Sequence, residues 1–157
     1  MKKSFLYIAC TLLLLSCKSK MQHETINFEI QSTEDYCGGA APPEELINEL
    51  RTLKPYTGKI YVHNTTDRTD EGVSLDVLEG KASASGFVEG TYHLFLYKKY
   101  VMTASESNKE SISPFNTPEC QKDKSLKSVG TFEVALDTKT ISKQIHVMCD
   151  PCMETRP

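Results

Sequence analysis

Cys149-Asp150-Pro151-Cys152 carries the sharpest chemical signal in this sequence. Two thiols so spaced can cycle through a disulfide or supply half of a tetrahedral metal site. A reactive pair needs its first cysteine at a helix N-terminus, where dipole and free amides stabilise the thiolate. Only Met153 to Pro157 follow, too few residues for a helix, and no strand-helix-strand pattern surrounds the pair. Zinc would have to recruit Cys37 and Cys120, which stand alone without ligand spacing. Structural disulfides among Cys37, Cys120, Cys149 and Cys152 are the expectation. Six cysteines in 157 residues suit an oxidising compartment and not the cytosol.

The other chemistry-bearing residues do not assemble into a motif. His63, His93 and His146 fall in strand-like segments, where alternation alone makes them polar, solvent-facing positions; copper or zinc would need two or three to converge. Asp67, Asp70 and Glu71 crowd one turn without the spacing of a calcium loop. Ser105, Ser107, Ser111 and Ser113 lack the strand-turn-helix setting of a nucleophile elbow. Gly38-Gly39 precedes no lysine, so there is no phosphate loop. No catalytic residue, metal set or cofactor is expected. The chain reads as a non-enzyme.

Composition narrows the partners. With 18 basic against 21 acidic residues, the chain has a formal net charge of -3 and no basic face for nucleic acid. The start is different in character: Lys2 and Lys3 precede an apolar run from Phe5 to Leu15, the layout of a secretory signal and too short to span a bilayer stably. Its end, Leu14-Leu15-Ser16-Cys17, resembles the lipobox of bacterial lipoproteins. The resemblance implies cleavage between Ser16 and Cys17, a diacylglycerol thioether on Cys17 and an acylated amino group. Several acyl chains hold a protein on a membrane where one would not. Lys18 replaces the aspartate of the enterobacterial inner-membrane retention signal, and Lys18-Ser19-Lys20 is not the acidic tether of surface export. A periplasm-facing outer-membrane lipoprotein is expected, with residues 1–16 as signal, 17–24 as tether and 25–157 as one domain.

The elements that must position the cysteines are mostly strand-length. Alternation predicts strands at 25–31, 59–64, 73–77, 84–88, 91–101, 132–136 and 141–147. Leu46, Ile47, Leu50 and Leu53 lie at helical spacing behind Pro43 and two glutamates, predicting one short helix over 44–53, packed outside a sheet or across one end. Residues 36–43 are loop. The polar tract 103–128 reads as a loop that is functional, disordered or pinned through Cys120. Seven short strands without helix alternation predict a mainly β chain, an antiparallel seven-stranded β-sandwich with one short helix. Its expected core holds Ile60, Val62, Tyr92, Leu94, Leu96, Val134 and Leu136.

Four segments together resemble the carboxypeptidase-regulatory-like or transthyretin-like module: Gly58-Lys59-Ile60-Tyr61-Val62, Gly72-Val73-Ser74-Leu75, Ser85-Gly86-Phe87 and Gly90-Thr91-Tyr92-His93-Leu94. The likeness covers residues 58–98, with Leu78-Glu79-Gly80-Lys81 where the module usually has threonine-aspartate. It implies a transthyretin-like or immunoglobulin-like sandwich with Phe87 and Tyr92 in the core. The Cys37-Gly38-Gly39-Ala40 start and the Cys-x-Pro-Cys close resemble small transthyretin-like lipoproteins of the Bacteroidota type, a resemblance that implies no particular activity.

The expected function is a membrane-anchored, non-enzymatic structural or binding module, its partner an envelope protein or glycan. Two other readings stay open: a thiol-redox or metal-handling protein built on Cys149 and Cys152, and an inhibitor of a secreted hydrolase acting through the tract 103–128. Four cysteines allow three pairings. A Cys149–Cys152 bond closes a small loop and gains little, whereas tying each to Cys37 or Cys120 closes long loops worth roughly 3–5 kcal/mol apiece. Cys37 and Cys120 are each expected to bond one member of the terminal pair, in either order.

Overall fold

The computed structural model describes residues 25–66, 68–70, 72–101 and 117–153. The expected signal, Ser16, Cys17 and the expected tether lie outside the described residues, as do Asp67, Glu71, Ser105, Ser107, Ser111 and Ser113. In chain order the elements are β1 (Ile26–Glu34), α1 (Glu44–Arg51), β2 (Lys54–Pro55), β3 (Gly58–His63), β4 (Val73–Val77), β5 (Lys81–Ala84), β6 (Gly90–Phe95), α2 (Pro118–Leu126), β7 (Ser128–Val134) and β8 (Thr140–Val147). Among the described residues no helix is long and apolar enough to cross a membrane.

The strands form two sheets. In the first, β1 is central: β8 pairs along one edge in parallel, and β2 and β5 share the other edge antiparallel. The second runs β4-β3-β6-β7, antiparallel throughout. Period-two alternation turns one face of each sheet inward. Ile26, Phe28 and Ile30 from β1 and Ile141 and Ile145 from β8 meet Ile60, Val62, Leu75, Leu94 and Val134 of the second sheet in one buried cluster. Phe87 stands at its centre, with the rings of Phe28, Tyr92 and Phe132 between 5.2 and 6.2 Å away in tilted or edge contacts. Burying a ring of that size stabilises the fold by about 1.5–3 kcal/mol. The Tyr92 hydroxyl accepts from the Val88 amide and donates to the Val88 carbonyl, both at 3.0 Å, so the phenol ties down the loop before its own strand.

Several expectations need correction. There are eight strands among the described residues and two helices, not seven and one. The β1–β8 pair is parallel, because both strands run from the same end of the molecule. The strand expected at 84–88 lies instead at Lys81–Ala84. Leu78 and Lys81 exchange both backbone hydrogen bonds around Glu79 and Gly80, whose φ values of 48° and 78° make the primed two-residue turn of a tight hairpin. The strand expected over 91–101 ends at Phe95, where pairing with β7 slips by a residue. Helix 44–53 stops at Arg51, lies against β1 and buries none of its residues. Leu136 is 63% exposed, since β7 ends at Val134 and the leucine falls in the turn before β8.

Candidate functional site

The four described cysteines resolve the pairing left open by the sequence: Cys37 bonds Cys149, and Cys120 bonds Cys152. Parallel pairing of β1 and β8 delivers Glu34 and Val147 side by side, so the loops after both strands start together. The second bond is prepared by α2. Thr117 caps that helix by accepting the Cys120 amide, Pro118 sits at its first position and Glu119 lies in its first turn. Its polar sides then find partners. Lys124 pairs with Asp150 at 2.6 Å, lies 4.3 Å from the Tyr97 ring centre and has a side chain only 11% exposed. The Cys152 amide donates to Asp150, which closes the tail into a turn. Burial raises the Tyr97 hydroxyl pKa, and the Asp150 carboxylate beside it pushes the same way.

A second buried cluster lies outside the second sheet. Tyr61, His63 and Phe95 have the outward parity of β3 and β6, yet His63 is 6% and Phe95 0% exposed. Residues 64–66 and 68–70 fold back over them, and α2 closes the remaining side. Arg68 enters this layer with its guanidinium 4.6 Å from the Phe95 centroid and 5.6 Å from that of Tyr61. Its Nη1 donates to the carbonyls of Tyr97 and Ser125, both at 2.8 Å, while Nε has no partner among the described residues. Burial pulls the Arg68 pKa below its ordinary value, and Tyr61 and Asp70 oppose that shift. Asp70 accepts from the Asn64 amide and lies 2.7 Å from His63 Nδ1, stapling the loop at both ends. At Gly72 φ is 65°, and a β-carbon there would overlap the His63 ring.

The structure places His93 directly opposite His63 across β3 and β6, half-buried, while His146 lies in the other sheet. His146 is exposed, between Thr33 Oγ1 and Asp35 Oδ1 at 2.9 Å each. Among the described residues, no three His, Cys, Asp or Glu side chains come together as metal ligands. The His63–Asp70 pair has the geometry of an oriented base. It packs against an aromatic edge, with Phe95 5.8 Å away.

A cavity of about 640 Å³ lies elsewhere. It is an open trough across the outer face of the first sheet. Register puts Glu29 beside Ser142 and Gln31 beside Gln144 on its floor; Pro55 and the Glu79–Lys81 turn form a wall. Ser142 donates to Glu29 at 3.0 Å. Sequence reasoning missed both this trough and Arg68. The outward polar residues of β1 and β8 were visible, but their alignment depends on a pairing between strands at opposite ends of the chain. Comparison with family models, with curated proteins and with solved structures gives no match for this chain.

Proposed function

We propose that this chain is a membrane-anchored envelope lipoprotein whose body is a non-enzymatic binding module. In this reading, residues 1–16 are removed before Cys17, and acyl chains on Cys17 hold the protein at the periplasmic face of the outer membrane. Its partner there is an envelope protein or glycan. One observation carries the reading: Cys149 is bonded to the loop after β1 and Cys152 to helix α2, and the two are not bonded to each other. A dithiol that cycled would have to release the tail from the Cys37 loop and from α2 at each turnover, whereas a scaffold in an oxidising compartment keeps both bonds closed. The transthyretin-like or immunoglobulin-like assignment draws support from Phe87 at the centre of the core and from Tyr92, whose hydroxyl clamps the backbone four residues upstream as in the tyrosine corner of such sandwiches.

The test is fractionation with a thiol count. Cys17→Ala is expected to leave an unprocessed precursor or release the protein from the membrane fraction, and the denatured wild type should titrate with no free thiol. A mutant that migrates and fractionates as wild type does would refute the anchor. Free thiols at Cys149 and Cys152 in the exported protein would favour the redox reading instead.

A further inference from the structure

We propose that the trough on the outer face of the first sheet binds a neutral oligosaccharide. The proposal deepens the binding-module reading and rests on it. The argument starts from the floor. Gln31 and Gln144 are register partners on β1 and β8, so two amide side chains rise from one face of backbones at the roughly 4.8 Å spacing of adjacent strands. Each amide offers an acceptor oxygen and two donor hydrogens on one planar group. A sugar ring carries hydroxyls that donate and accept at once, and such paired groups suit it. Next along the same face, the Ser142 hydroxyl already donates to Glu29 Oε2, which fixes that carboxylate with its second oxygen available as an acceptor.

The charge around the trough selects against other ligands. Glu29 and Glu79 face Lys81 alone, since Lys143 starts from the opposite face of the sheet, so the lining is mildly acidic. An anionic chain would meet two carboxylates, and a cation would find no converging set of three ligands among the described residues. A protein partner would need an apolar centre, but of the apolar side chains on the lining Ile30 is buried and Pro55 alone is exposed. One ring against a row of hydrogen-bonding groups suits the C–H face of a sugar. The volume of about 640 Å³ lies within the range of small-ligand sites, and the trough is open, as a chain-like ligand requires.

The experiment titrates the purified full chain with a panel of neutral oligosaccharides: α- and β-linked glucans, xylan, mannan and chitin fragments. Saturation-transfer NMR and calorimetry read the binding. At least one is expected to bind with micromolar to millimolar affinity. Gln31→Ala with Gln144→Ala should weaken it by roughly tenfold or more, while Lys127→Ala on the exposed end of α2 leaves it unchanged. Unaltered circular dichroism and melting temperature would show that the double variant still folds. No binding across the panel, binding that ignores the two glutamines, or stronger binding of polygalacturonate at the same site would overturn the proposal. Failure here with successful Cys17-dependent fractionation removes the ligand class and leaves the anchored module standing; the reverse outcome removes the anchor alone.

Discussion

At Arg68 the protein buries a guanidinium between two aromatic faces and two carbonyl acceptors, with no carboxylate ion-paired to it among the described residues. The cost of desolvating the cation is offset by the hydrogen bonds and the ring contacts, and the carbonyls of Tyr97 and Ser125 gain a donor they would otherwise lack. Truncation therefore leaves both acceptors unpaired. Arg68→Leu is expected to lower stability by about 1–3 kcal/mol, read as a shift of the urea midpoint at unchanged slope. A midpoint equal to wild type would mean that water replaces the guanidinium without loss. None of this was legible in the sequence, where Arg68 sits in a run of polar and charged residues that reads as a solvated turn. His63 misled for a related reason. Its parity is outward, but the covering layer comes from its own following loop, and period-two reasoning has no way to represent a lid over the polar face.

Two elements show where propensity and context part. Helix α2 has no apolar stripe, so the polar tract around it reads as loop; its cap, its proline and its acidic first turn were all present as local signals. What holds it is a set of single attachments: the Cys120 bond, the Lys124 pair and the Arg68 contact to the Ser125 carbonyl. Strand β8 poses the opposite case, a strand the alternation found easily but whose partner it did not. In parallel register with β1, its alternate residues 140, 142, 144 and 146 direct their backbone groups to the edge away from β1, where no strand is paired among the described residues. Lys143 occupies the buried-side parity shared by Ile141 and Ile145. A charge at that position on an edge strand opposes docking of another strand. Lys143→Val should leave the monomer folded yet promote dimers or larger species as concentration rises, seen by light scattering after size exclusion. A variant that stays monomeric at every concentration where wild type does would show that the edge is protected by something else.

For the whole molecule, the disulfides differ in leverage. Cys37–Cys149 spans a sequence separation of 112 and Cys120–Cys152 one of 32. In the chain-entropy model these are worth about 5 and about 4 kcal/mol. Replacing Cys37 and Cys149 together by serine is expected to destabilise more than replacing Cys120 and Cys152, by roughly 1 kcal/mol. Denaturant unfolding of the two double variants checks the order; equal or reversed losses would point to native-state packing at α2 as the dominant contribution. The sequence did reveal the two long closures, because a short terminal pair gains so little from bonding to itself. The pairing of β1 with β8 has a further consequence, one of timing. Asn27 finds Thr140 as its partner, so the central strand lacks one neighbour until almost all of the chain is available. A polypeptide emerging N-terminus first, from a ribosome or through a translocation channel, carries β1 with one edge open for nearly the whole of its passage. Contacts so distant along the chain form slowly. The topology thus postpones closure of the first sheet to the final strand, and the body is cross-linked only once that strand has arrived.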